Sequence, residues 1–163
     1  MDTTNAPQII EHISQSLTYT PFDIKWIPCS ARFIVSGQTP KAKGIIQIFQ
    51  LTQNKLELVS EVNIIYETAS KFVKDVGFKC STFGASSFSK REIATGDYNG
   101  NLVVYDIEKC QPSFSVKAHN SIINQMDAIG GTGNIGSPEI ITGSRDGNTI
   151  IKIRMCKNMG CKN

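Results

Sequence analysis

Short apolar runs broken by Gly, Asn, Asp and Pro set the pattern of this chain. Ile45-Ile46-Gln47-Ile48-Phe49, Leu102-Val103-Val104-Tyr105, Ile140-Ile141-Thr142 and Thr149-Ile150-Ile151-Lys152-Ile153 are rich in β-branched residues and too short for helices. Each predicts a strand. Further candidates flank them: Phe22 to Pro28, Gly77 to Phe83 and Ile122 to Ile129 in front, Lys55 to Val59 and Ser113 to Val116 behind. Asn99-Gly100 and Asp146-Gly147 lie between apolar runs. Such dipeptides accept positive φ at both central positions of a two-residue turn, which predicts tight hairpins. Ile93, Leu102 and Val104 alternate on strands beside Asn99-Gly100 and are expected in the core. One stretch departs from this pattern. Val62, Ile65, Tyr66, Ala69, Phe72, Val73 and Val76 recur at three- and four-residue steps. That period predicts an amphipathic helix over 62–76, with Val62, Tyr66, Ala69 and Val73 on one face.

The strands repeat as units. Arg32 to Gly37 followed by Gly44 to Phe49, Arg91 to Asp106, and Pro138 to Ile151 each read strand, Ser/Thr-Gly, turn, strand. The repeated glycines are Gly37, Gly96 and Gly143, spaced somewhat beyond the ~40–45 residues of a four-stranded propeller blade. Two units have four candidate strands and the third has three. The expected organisation is a blade over about 22–61, the inserted helix over 62–76, a second blade over 77–117, an incomplete third over 118–154, and a basic tail over 155–163.

The order of residues within the units resembles WD repeats, whose pattern runs from a Gly-His-like pair through Ser/Thr-Gly-Ser-x-Asp-Gly to Trp-Asp. Ala118-His119 resembles the first pair, and Thr142-Gly143-Ser144-Arg145-Asp146-Gly147 matches the turn. Tyr105-Asp106 and Phe49-Gln50 take the Trp-Asp place, while the third unit has Lys152-Ile153-Arg154 there. Blocks between Pro7 and Gly147 are similar to the N-terminal part of one branch of that family: Pro7-Gln8-Ile9-Ile10, Lys25-Trp26, Pro28-Cys29-Ser30-Ala31, Thr82-Phe83-Gly84-Ala85 and Ala94-Thr95-Gly96-Asp97 among them. Residues 62–76 have no counterpart in the family pattern, and the match ends after Gly147. The fold class expected is all-β: a partial WD-repeat β-propeller, an open arc of about three blades with one inserted helix. Residues 8–13 are a candidate strand for closing the last blade of a full ring.

The resemblance also implies roles. His119, Thr142, Ser144 and Asp146 are expected to form the structural WD-type network that links strands within a blade, its polar groups satisfying one another. The branch implies a cytoplasmic, non-catalytic adaptor for protein partners: prefoldin-like and R2TP-type co-chaperone subunits, and clients in the pre-assembly of axonemal dynein arms. The alternative expectation is a truncated or alternatively spliced propeller fragment without independent activity.

Composition narrows the remaining choices. The chain has 163 residues, 40% of them hydrophobic, enough for a packed core. No apolar run is long enough to span a membrane, and the N-terminus has no leader pattern. The formal charge of +3 arises after Asp146, where Lys152, Arg154, Lys157 and Lys162 meet no acid. The body is near neutral, which disfavours a nucleic-acid footprint. Five cysteines and no paired spacing suggest free thiols in a reducing compartment. With His12 and His119 far apart, no metal site is expected, and no cofactor. Gly131-Thr132-Gly133-Asn134-Ile135-Gly136 matches a dinucleotide-loop pattern, but Ser137-Pro138 and a strand follow where a helix is required. It reads as a loop between strands. His119, Thr142 and Asp146 also have acid–base chemistry, for which the structural reading is preferred. Gln38, Asp97, Tyr98 and Arg145 fall in or beside hairpin turns, without an assigned partner. An open arc leaves sheet faces uncovered, so the chain is expected to aggregate or to need a covering protein.

Overall fold

The computed structural model describes residues 13–52, 55–63, 76–85, 91–109, 111–129 and 139–154. They form three antiparallel sheets. Thr20–Trp26 (β1), Arg32–Gln38 (β2), Gly44–Leu51 (β3) and Leu56–Asn63 (β4) make the first. Phe78–Phe83 (β5), Glu92–Asp97 (β6), Asn101–Asp106 (β7) and Gln111–Lys117 (β8) make the second. Ile123–Ile129 (β9), Glu139–Ser144 (β10) and Thr149–Arg154 (β11) make the third. Each sheet is a meander in which every strand pairs with the next in sequence.

The second sheet lies between the other two. Strand β5 contacts β1 and β2 on one side and β9 on the other. Period-2 alternation then divides its side chains between two cores. Phe78, Ile93, Val103 and Tyr105 pack with Ile34, Ile46 and Ile48 of the first sheet. Cys80, Ala94, Leu102 and Val104 pack with Ile123, Met126 and Ile140 of the third. Ile93, Leu102 and Val104 are fully buried, but Ile93 faces the first sheet and the other two face the third. Both faces of β7 are therefore apolar, which explains the unbroken hydrophobic run from Leu102 to Tyr105.

The hairpin turns differ from expectation. In the Asn99-Gly100 and Asp146-Gly147 turns the glycine takes positive φ, +84° in each; Asn99 and Asp146 do not. Gly100 N donates to Asp97 O, and Gly147 N to Ser144 O. Each turn is thus an ordinary tight turn closed by one left-handed glycine, the three-residue hairpin loop, rather than a two-residue turn with both φ positive.

The helix expected over 62–76 is corrected at its start. Val62 and Asn63 are the end of β4, paired with Ile46 and Ile45. The strand extends because β3 offers a full partner edge there, and pairing outweighs the helical period. Residues 64–75 lie outside the described residues, as do 8–12 of the candidate strand 8–13, the glycine loop 131–136 and the tail 155–163.

Two sheet faces look outward. On the first sheet, Tyr19, Val35, Ile45 and Phe49 form a third cluster, flanked by Leu17, Phe33 and Leu56. An open cavity of about 190 Å³ lies there, lined in part by Leu17, Ile24 and Phe33. Ile24 and Trp26 are more than half exposed beside it. On the third sheet, Ile129 and Ile141 are exposed.

Candidate functional site

His119 stands in the short link between β8 and β9. Its own amide and that of Ala118 donate to Gly100 O, at 2.9 and 3.0 Å, so the second hairpin cradles the link. Gly100 has no room for a side chain: a Cβ there would meet the carbonyl oxygens of His119 and Ser121. This contact, with the positive φ, is why glycine is required.

From that position the His119 ring reaches the third sheet. Nδ1 lies 3.2 Å from Asp146 Oδ2, and Nε2 lies 2.9 Å from Thr142 Oγ1. The carboxylate only accepts, so Nδ1 carries the proton; in the neutral ring, Nε2 accepts from the Thr142 hydroxyl. Asp146 Oδ2 also accepts from Asn120 N at 3.0 Å, and Oδ1 from Asn148 N at 2.9 Å. The Asn148 amide chiefly, then the Asn120 amide and His119, hold this carboxyl below the usual carboxylate range despite an opposing desolvation cost. Ser144 closes the group. Its hydroxyl donates to Ile122 O at 2.9 Å and accepts from Asp146 N at 3.2 Å. The four residues singled out in the sequence are thus brought together, on β10, its turn and the preceding link.

A hydroxyl, a histidine and a carboxylate in this order have the geometry of a nucleophile–base–orienter relay. The group is closed to solvent. Thr142 is 1% exposed and His119 3%, and the cavity on the first sheet is lined by none of these residues. Among the described residues, no group of three or more His, Cys, Asp or Glu side chains is placed to hold a metal ion. Cys80 is not an available nucleophile either: burial, with the charge of Asp23 adding, pushes its thiol up to about 12.

Two further carboxylates were not singled out as network members. Asp97, in the place that Ser144 occupies in the third unit, accepts from Asn99 N, Asn101 N and Asn101 Nδ2 at 2.7–2.8 Å. Its signal was the Asp-x-Asn-Gly-Asn run, in which an Asp precedes a turn it can cap. Asp23 on β1 crosses to the second sheet, accepting from Ser81 N at 2.7 Å and Ser81 Oγ at 2.9 Å. No local pattern signals it, because its partner is 58 residues away. Of the turn residues, Tyr98 meets Phe22 edge-to-face at 5.8 Å, while Gln38 lies against Gly77.

Three stacked antiparallel meanders have a counterpart among solved structures. The WD40 repeats of RRP9 superpose with a TM-score of 0.59 over 81% of this chain and 34% of that one, at 11% identity. The fold is a WD-repeat propeller arc. No family model matches the chain. By sequence, the arc is 45% identical over 149 residues to dynein axonemal assembly factor 10 of Bos taurus, covering 90% of this chain and 39% of that protein. It is 48% identical over 137 residues to the protein of that name in Danio rerio, covering 83% and 36%. For Chlamydomonas reinhardtii the figures are 40% over 149 residues, 90% and 39%. The chain therefore spans about two fifths of the length of these relatives. The relatives agree with the branch that the blocks between Pro7 and Gly147 resemble, that of Monad, also called WD repeat-containing protein 92. Among the described residues, no helix is long and apolar enough to cross a membrane.

Proposed function

We propose that this chain is a non-catalytic scaffold for protein–protein contacts in the cytoplasmic pre-assembly of axonemal dynein arms, and that it works as an adaptor to co-chaperones of the prefoldin-like and R2TP type. The observation that carries the reading is the 45% identity over 149 residues to a dynein axonemal assembly factor. The geometry supports it. The one relay-like group is buried and serves to join a link to a sheet, while the loops and turns at the ends of the arc are free to meet partners. The His119, Thr142, Ser144 and Asp146 network is structural in this reading.

A second reading, a propeller fragment without independent activity, is favoured by the coverage of about two fifths of the relatives. One experiment separates the two. The tagged chain is expressed in ciliated cells lacking the endogenous assembly factor, and outer-arm assembly and co-purifying proteins are scored. Recovery of co-chaperone subunits and of dynein arms supports the adaptor. A chain that is soluble and abundant yet captures neither sinks it in favour of the fragment.

A further inference from the structure

The three sheets share one irregularity. The first strand of each carries a bulge, at Phe22, Lys79 and Asn124. Aligned there, Ser36, Gly96 and Gly143 are counterparts, as are Ile34, Ala94 and Ile141, and Trp26, Phe83 and Ala128. Every sheet then has a backward face and a forward face. Phe83 and Ala128 look backward, onto the first and second sheets. Ile34 and Ala94 look forward, onto the second and third. Each inter-sheet core mates a forward face with a backward one, so the chain makes the same kind of interface twice.

One face of each kind is left over. On the backward face of the first sheet, Ile24 and Trp26 are more than half exposed, whereas Met126, the counterpart of Ile24, is buried in the second core. On the forward face of the third sheet, Ile129 and Ile141 are 73% and 42% exposed, whereas their counterparts Ile27 and Ile34 are 4% and 0% exposed within the first core. The glycines mark how closely the next sheet comes. A Cβ at Gly96 would meet Ile123, the paired residue before the third sheet's bulge, at 2.8 Å. A Cβ at Gly44 would likewise meet the ring of Phe78, the paired residue before the second sheet's bulge. At Gly143 a Cβ meets nothing within 4 Å among the described residues. The room that Ile123 takes up over Gly96 is thus open over Gly143.

We propose that a second copy of this chain docks head-to-tail, its first sheet on the third sheet of the other, and that two copies close a ring of six sheets. The occupant follows from the register. The two free faces are the two halves of an interface that the chain already makes twice, so each fits the other. Pro21 of the incoming copy, the counterpart of Phe78 and Ile123, takes the room over Gly143. Ile24 and Trp26 of that copy cover Ile141 and Ile129. A contact between unlike faces repeats until the rotation closes a ring, and otherwise runs on as a filament. Propellers close with about four to eight blades; two three-sheet arcs fall inside that range and three arcs exceed it. The inference does not depend on the adaptor reading.

The test is the mass of the purified 163-residue chain by sedimentation equilibrium as concentration rises through the micromolar range. The mass is expected to level off at twice that of one chain. Gly143→Leu fills open space at a residue without positive φ. It should melt like the parent yet raise the dimer dissociation constant at least about tenfold, because the added side chain stands where the second copy must pack. Ile24→Glu with Trp26→Glu should weaken the dimer as much from the other face, while Lys41→Glu in the β2–β3 turn should leave it unchanged. Melting curves check that the variants fold; Ile129→Lys with Ile141→Lys replaces the first if it does not, and Ile24→Ser with Trp26→Ser the second. A compact monomer, as would follow if the chain's own residues 1–12 covered the first sheet, overturns the proposal. So does a mass that keeps climbing with concentration, the mark of an open filament. A dimer weakened from only one of the two faces overturns it as well, since that is the behaviour of two like faces meeting.

Discussion

The carboxylate of Asp23 on β1 takes both the amide and the hydroxyl of Ser81 on β5, and so joins the first sheet to the second by charge-assisted bonds. Ser36 adds its hydroxyl to Ser81 Oγ at 3.3 Å. The joint between the second and third sheets is built differently. There Met126 is buried among apolar neighbours, and the polar link is the His119 group at the turn end. Each inter-sheet core is mainly apolar, with polar contacts fastening it.

Removing the first fastening takes the acceptor from the amide of Ser81, 1% exposed, and leaves its hydroxyl with Ser36 alone. Asp23→Ala should destabilise the chain by about 1–3 kcal/mol. Urea unfolding at neutral pH reads this, and a double-mutant cycle with Ser81→Ala should show a coupling well above zero. Additive single effects would mean the contact carries no stability.

The second fastening has a pH signature. Asp146 is held below the ordinary carboxylate range, chiefly by the Asn148 amide. The unfolded chain therefore takes up the proton first as pH falls. Its contribution is fully present above the unfolded value, about 3.9, and is lost as pH drops through the lower folded value. Melting temperature followed through this acid range should fall less steeply in Asp146→Asn than in the parent chain. Parallel curves would show that the carboxylate adds nothing.

Two glycines of identical φ allow a controlled comparison. Gly100 and Gly147 both sit at +84°, but a Cβ at Gly147 meets nothing within 4 Å, whereas at Gly100 it strikes the backbone of the His119 link. Gly147→Ala should cost about 1 kcal/mol, the expense of a left-handed residue alone. Gly100→Ala should cost clearly more and should also expose His119. Calorimetry of the two variants compares them directly, and equal losses would mean the link is not cradled as described.

In the central sheet, Ile93→Ala and Leu102→Ala should each lower stability by about 2–5 kcal/mol, since both sites are fully enclosed. The two face different cores, so their effects should add. Unfolding midpoints of the single and double variants test this, and strong non-additivity would indicate one shared core.

The outward face of the first sheet makes a prediction about solubility. Ile24 is 59% and Trp26 58% exposed beside an apolar cavity. The purified chain should self-associate at low micromolar concentration, and Ile24→Ser with Trp26→Ser should reduce it. Sedimentation velocity measures both, and a compact monomer in the parent chain would contradict the expectation.

Local pattern was enough to place the strands, because alternation and turn residues act over a few positions. Ser/Thr-Gly at Gly37, Gly96 and Gly143 marked the same strand in each sheet, and His119, Thr142, Ser144 and Asp146 were recognisable from the repeat they share. Tertiary structure decided what depends on a distant neighbour. It divided Ile93 from Leu102 and Val104 between two cores, since alternation shows that residues differ in face but not what each face meets. It carried β4 through Val62 and Asn63, where the edge of β3 outweighed a helical period. It chose a glycine-closed turn over a two-residue one, because Gly100 must pass the backbone of the His119 link. It paired Asp23 with Ser81 across 58 residues of chain, a contact that exists only once two sheets have stacked.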